Sequence, residues 1–109
     1  MTETEFLALA KSTLDQIEQA LDRLNDEDAI DVECKRSGNV LEIEFLDNGS
    51  KIIVNSQAPL QEMWVAARSG GFHYKRVGDE WRNTRDESEL FASLSTYASE
   101  QGGAQVSLV

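Results

Sequence analysis

The spacing of apolar residues changes once near each end of this chain, and those two changes leave few folds open. Phe6, Ala10, Leu14, Ile17, Leu21 and Leu24 recur at helical spacing, which predicts a first helix over about residues 3–25. Thr2 followed three residues later by Glu5 reads as the capping box that starts it. From Ile30 the period becomes two. Ile30, Val32 and Cys34 alternate with Asp31 and Glu33, and Leu41, Ile43 and Phe45 alternate with Glu42 and Glu44, as strands covered on one face do. Ser37-Gly38-Asn39 and Asp47-Asn48-Gly49 supply turns, and Asn-Gly accepts the positive φ of a tight hairpin. Ile52-Ile53-Val54 makes a third strand whose facing stays ambiguous. Pro59, the only proline, interrupts before a fourth strand near 60–67. Gly70-Gly71 leads into a fifth carrying Phe72-His73-Tyr74-Lys75, and Trp81 sits on a short sixth after Val77-Gly78-Asp79. Helical spacing then returns with Leu90, Phe91, Leu94 and Tyr97 or Ala98. Asp86 or Ser88 is expected to cap that second helix, which runs to about Glu100 and stops at Gly102-Gly103.

Tight hairpins make the sheet antiparallel. The expected fold class is therefore α+β, a two-layer sandwich of two helices on one face of a five- to six-stranded antiparallel sheet. The 109 residues fit one domain over 1–109. Area scaling gives roughly 6,000 Å² exposed when folded against roughly 17,700 Å² unfolded, enough burial for one modest core. The face of the sheet away from the helices must meet water, so its composition matters.

Charge is unevenly placed. The chain carries a net charge of -10, and residues 1–31 hold -7 of it, with nine acids against Lys11 and Arg23. Glu18, Asp22, Asp26, Glu27, Asp28, Asp31 and Glu33 crowd the end of the first helix and the chain beyond it. That end is the negative pole of the helix dipole, where acids raise the energy. Glu18, Asp22 and Asp26 stand in one line at spacing four, and each like-charged pair costs roughly 0.2–0.5 kcal/mol. Two carboxylates about 6 Å apart repel by roughly 0.7 kcal/mol in water and ~3 kcal/mol at an effective dielectric near 20. A solvated face that only maintains solubility is the plain alternative. The concentration of acids at the unfavourable pole argues instead for a surface that attracts cations or basic proteins. All-carboxylate ligands are hard and suit iron, manganese, magnesium or calcium better than copper or zinc. Without a cage they bind weakly and unselectively.

The same field repels phosphate backbones and anionic lipid, so neither nucleic acid nor membrane is an expected partner. Cys34 is the only cysteine, which suits a reducing cytoplasm and excludes an internal disulfide. The acidic start and the short apolar stretch Phe6–Ala10 do not read as a signal peptide. No phosphate-cradling loop, GxGxxG, GxSxG or HExxH motif occurs. The paired carboxylates lie on a convex ridge rather than in a pocket that could separate two pKa values. An enzyme is not expected.

If Met63, Val65 and Ala67 point inward, Trp64 points outward. By the same alternation Phe72 and Tyr74 face in and His73 faces out. Asn55 and Gln57 join Trp64 and His73 as a second candidate surface, with Trp64 as its anchor. A shift of one residue in the alternation would instead make Trp64 a core residue, and a lone surface His often does nothing. Cys34 is expected to be a small core residue rather than a nucleophile. Trp81 reads as structural or semi-exposed, and Asp79 and Glu80 as turn residues.

The run Asn48-Gly49-Ser50-Lys51-Ile52-Ile53-Val54-Asn55-Ser56-Gln57-Ala58-Pro59-Leu60-Gln61-Glu62-Met63-Trp64, followed by Gly70-Gly71-Phe72-His73-Tyr74, resembles the signature of the frataxin family. The resemblance is greatest to the family's bacterial members and runs from Glu5 to about Val106. It implies a helix, antiparallel sheet, helix sandwich and a role in iron–sulfur cluster assembly. It implies weak, reversible binding of Fe(II) and Fe(III), with no organic cofactor. It implies docking of the acidic ridge on a basic surface of the cysteine desulfurase, near the scaffold protein, to regulate that enzyme or supply iron. The chain is expected to be mostly a monomer, with iron-dependent oligomers as the alternative. Carried over by position, Glu18, Asp22, Asp31 and Glu33 match the ridge that serves metal and partner alike. Asp26, Glu27 and Asp28 fall in the variable acidic turn, and Glu44 lies on the next strand; these complete the expected metal residues. Asn55, Gln57 and Trp64 match the sheet surface that contacts partners. Gln19, Arg23 and Ala29 stand where bacterial members carry more acids, and the first hairpin, Lys35-Arg36-Ser37-Gly38-Asn39, is longer and basic. These departures imply a lower iron capacity. Two other functions fit the same residues: a ferroxidase or iron-storage protein, and a metal-independent electrostatic inhibitor of the desulfurase.

Overall fold

Six strands bond to one another in chain order in the computed structural model, which describes residues 1–109. They are β1 (Val32–Ser37), β2 (Val40–Phe45), β3 (Lys51–Gln57), β4 (Glu62–Ala67), β5 (Gly70–Val77) and β6 (Glu80–Asn83), each antiparallel to the next. β1 and β6 are therefore opposite edges. Helix α1 (Glu3–Asp26) packs against β1, β2 and β3, and α2 (Leu90–Gly102) packs against β6. Both helices lie on one face, as the periodicities require. The accessible surface is 5936 Å², close to what chain length alone leads one to expect. No helix is long and apolar enough to cross a membrane.

The apolar stripes of both helices and the inward rows of all six strands join in one core. Phe6, Leu14, Ile17, Leu21, Leu41, Ile43, Phe45, Ile52, Val54, Met63, Tyr74, Trp81 and Leu90 are all buried. The third strand's facing is thereby settled: Ile52 and Val54 point in, and Ile53 is half-buried on the open side. Of the two readings of Trp81 the structural one holds: it is 1% exposed and sits edge-on to Phe6 with ring centroids 6.0 Å apart. Its indole donates to Thr13 Oγ1 at 2.9 Å, and that hydroxyl donates to Leu9 O at 2.8 Å. The tail after α2 returns to the core. Val106 and Leu108 are buried, and their amides donate to Ser99 Oγ and Ser95 Oγ.

Three local expectations need correction. α2 is capped by Glu89 rather than Asp86 or Ser88: its carboxylate accepts from the amides of Phe91 and Ala92 at 2.9 and 3.0 Å. Asp86 is already used, accepting from the amide and hydroxyl of Ser88. The fourth strand begins at Glu62, because Pro59 belongs to a single 3₁₀ turn over Ala58–Leu60. The second hairpin is not closed by a two-residue Asn-Gly turn. Phe45 N bonds Ser50 O at 2.8 Å across a four-residue loop, in which only Gly49 (φ +72°) is left-handed. The first hairpin is the tight one, with Ser37 paired to Val40 across Gly38 and Asn39.

The Trp81–Thr13 bond is generated wholly inside the core, so it should be visible in stability. Thr13→Val keeps the shape but orphans a buried indole N–H, and should cost about 1–3 kcal/mol. In a Trp81→Phe background the same change should cost much less. Equal costs in the two backgrounds, measured by chemical denaturation, would show that the bond contributes nothing.

Candidate functional site: an acidic edge and an aromatic platform

The acids hold their positions through the way α1 ends. Asp28 adopts the left-handed conformation (φ +59°), Ala29 N bonds Leu24 O at 2.9 Å and Asp28 N bonds Asn25 O at 3.1 Å. This is a Schellman stop with aspartate at the position glycine usually takes. Asn25 Oδ1 then accepts from Val32 N at 3.1 Å, which fastens the helix end to the start of β1. Ile30 is buried behind the turn against Gly102. A Cβ on Gly102 would come within 2.9 Å of Ile30 Cγ2, so α2 can end this close only with glycine there.

Glu18, Asp22 and Asp26 rise along α1; Glu27, Asp28 and Asp31 fill the exposed turn; Glu33 follows on edge strand β1. All seven share one edge of the molecule. Glu33 lies directly across from Glu44 in the β1–β2 ladder, a pairing of like charges that destabilises a sheet. Asp22, Asp26, Glu27, Asp28, Asp31, Glu33 and Glu44 enter no ion pair. Glu18 differs. Arg36 on β1 reaches Asp15 at 2.8 Å and Glu18 at 3.8 Å, so the upper end of the ridge is partly neutralised from within. Arg23 interrupts the acidic run in sequence but not in space; it donates to Ser107 O at 3.1 Å and pairs with no carboxylate. No three His, Cys, Asp or Glu side chains converge closely enough to form a cage for an ion.

Two members of this edge escaped the sequence reading. Asp47, read only as a turn residue, joins Asp28 and Asp31 around a shallow basin of about 430 Å³ closed by Gly102 and Gly103. The basin also borders the C-terminal pole of α2, whose free carbonyls add negative potential. Asp15 pairs with both Lys11 and Arg36, which hold its carboxyl below the usual range, Lys11 most. Cys34 is inward-facing and half-buried. Burial, then the carboxylates of Asp22 and Glu18, push its thiol up to about 12.

The open face of the sheet carries the second group. Trp64 and His73 pair across β4 and β5, and their rings stack with centroids 4.3 Å apart and planes 4° from parallel. Asn55 pairs with Trp64 from the other side, and Gln57 Nε2 donates to Asn55 Oδ1 at 2.6 Å. Trp64 is thus on the outer face and half-buried, Met63 and Val65 are inside, and His73 is exposed. Glu62 was not singled out from sequence. It shares Trp64's face, is buried, and accepts from the indole Nε1 at 2.8 Å. Alternation along Glu62-Met63-Trp64 was the available signal; its burial was not.

The molecule thus presents an all-carboxylate edge at β1 and an aromatic platform on β4 and β5, on an antiparallel sheet whose other face is covered by helices. The chain belongs to the frataxin family: the frataxin-like domain matches residues 1–104. It is similar to the iron-sulfur cluster assembly protein CyaY of Janthinobacterium sp. (strain Marseille), at 68% identity over 108 residues, covering 99% of this chain and 96% of that one. Among solved structures it is similar to the frataxin of Psychromonas ingrahamii, with TM-score 0.82 and 31% identity over 100% of this chain and 99% of that one. It shares its fold with a trimeric frataxin from the yeast Saccharomyces cerevisiae complexed with ferrous iron, with TM-score 0.74 and 23% identity over 87% and 86% of the two chains.

Cys34 should report on the ridge beside it. At pH 8 its thiolate fraction should be about a thousandfold below that of free cysteine, so alkylation should be slower by a similar factor. Asp22→Asn should speed it. Because the folded thiol keeps its proton up to about 12, its stabilising contribution is complete below the ordinary thiol range and fades as pH rises through that value. Tyr97, raised by burial and by its bond to Tyr74, acts in the same direction. Reaction of folded Cys34 at the rate of a free thiol would rule out the crowding.

Proposed function

We propose that this protein is an adaptor and regulator of iron–sulfur cluster assembly. Its ridge carries iron as a weakly held cargo and docks on a basic surface of the cysteine desulfurase, and its open face meets the desulfurase or the scaffold protein. One observation carries the reading: six carboxylates from the end of α1 through edge strand β1, Asp22, Asp26, Glu27, Asp28, Asp31 and Glu33, together with Glu44 opposite Glu33 on β2, are left without an ionic partner. Repulsion of this kind is relieved by a cation or by a cluster of arginines. The donor set is entirely oxygen, which fits iron in either common oxidation state and holds it without a cage. The process follows the name borne by the relatives, and the ion is the one named for the yeast frataxin. In this reading the protein does no chemistry of its own, works as a monomer in the cytoplasm, and associates further only when iron is loaded.

The metal residues proposed are Glu18, Asp22, Asp26, Glu27, Asp28, Asp31, Glu33 and Glu44. Those proposed for the partner are Glu18, Asp22, Asp31, Glu33, Asn55, Gln57, Trp64 and His73. Arg36 already competes for Glu18, so Asp22 and the acids after it carry most of the work.

Glu18→Lys combined with Asp22→Lys should weaken Fe(II) binding and desulfurase affinity together, by tenfold or more. Wild-type affinity should fall steeply between low and physiological salt. Calorimetric titration of both ligands checks this, and an unchanged affinity for both would remove the ridge as the site. Desulfurase inhibition that survives rigorous iron removal would favour a metal-free inhibitor, and saturable oxygen-dependent iron oxidation would favour a ferroxidase. A second prediction separates stability from function at Asp28. Asp28→Gly should raise stability by about 0.5–1 kcal/mol, the left-handed penalty less glycine's larger entropy loss, while lowering cation affinity. A variant that loses stability, or that binds iron as well as wild type, contradicts it.

A further inference from the structure

Glu62 is the only one of the chain's 20 acids that is buried, at 8% exposure, and it lies on the sheet face that no helix covers. A carboxylate is expensive to remove from water unless its oxygens are engaged. Its Oε1 is engaged twice: the Trp64 indole Nε1 donates to it at 2.8 Å, and His73 Nδ1 lies 3.4 Å away. Its Oε2 faces Lys75 Nζ at 3.9 Å. The register explains the enclosure, since Gln57 and Lys75 flank Glu62 on β3 and β5, one row from Trp64 and His73. A single oxygen thus sits against the polar edges of two rings that are themselves stacked in parallel.

We propose that Glu62 is the positioning residue of the open-face platform, holding Trp64 and His73 as one rigid stacked pair in the form that meets a partner. The inference rests on the docking role given above to this face. Two consequences follow from the geometry. The indole is fixed in one rotamer before binding, so no ordering of that ring opposes association. His73 Nδ1 faces the same carboxylate oxygen at 3.4 Å, which turns Nε2 away from Glu62. The platform therefore offers a flat stacked pair of rings backed by a carboxylate, suited to a cationic partner side chain such as arginine or lysine. Glu62 does not itself have to touch the partner.

Glu62→Gln keeps an oxygen for the indole, whereas Glu62→Leu keeps the bulk and loses the indole bond and the charge facing His73. In the full chain, Glu62→Leu should shift the Trp64 indole N–H resonance, speed its exchange with solvent and reduce the aromatic circular dichroism of the stack. Desulfurase affinity should fall about tenfold, with the melting temperature held or raised. Glu62→Gln should stay within about threefold of wild type, and Trp64→Ala should lose affinity at least as strongly as Glu62→Leu. An unchanged indole resonance and exchange rate in Glu62→Leu would overturn the positioning role directly. So would wild-type affinity in that variant alongside loss in Trp64→Ala. If Trp64→Ala binds normally, the docking reading of this face fails, and the exchange measurement still decides whether Glu62 orders the rings.

Discussion

The junction between α1 and β1 positions everything that matters on the outside of this protein. The helix must stop, reverse and enter the sheet as its edge strand within a few residues. Asp28 in a left-handed conformation makes the stop, Asn25 ties the helix end to Val32, and Ile30 seals the turn against the end of α2. With the inner side of the turn so fixed, every intervening acid is displayed outward. The ridge is the exposed side of this one tight connection.

One-sided coverage does the rest. Two helices protect one face of a six-stranded sheet, so alternation sends Leu, Ile, Val and Phe inward and leaves Glu33, Glu44, Asn55, Gln57, Glu62, Trp64 and His73 on the other face. The edge carrying the carboxylates borders both layers. The aromatic pair lies further along the same open face, on β4 and β5. Charge governs approach and salt sensitivity, while a pre-ordered indole contributes contact at little entropic cost.

Interior and exterior follow opposite rules here. No buried side-chain polar atom lacks a partner, and even the Trp81 indole finds Thr13. Outside, like charges face each other across β1 and β2, acids sit at a helix C-terminus, and an aspartate occupies a glycine position. Local choices that oppose stability, placed together while the core obeys every packing rule, are where a folded chain keeps its function.

Helix and strand periods, the antiparallel sheet with both helices on one face, and the outward facing of Trp64 and His73 were all legible in the sequence. Each is written in local spacing, and local spacing reflects which side of a segment is covered. Contacts between segments were not legible. Arg36 meeting Asp15 and Glu18, Asp47 joining Asp28 and Asp31, and Glu62 disappearing under its cross-strand neighbours all depend on register and on how closely elements approach. The cap of α2 was misplaced for a related reason: Asp86 and Ser88 suit an N-terminus by type, but in three dimensions Asp86 is held by Ser88 and it is Glu89 that reaches the first free amides of the helix. Spacing along the chain determined the layers and their polarity; the packing of those layers decided which charges remain free and which are already held.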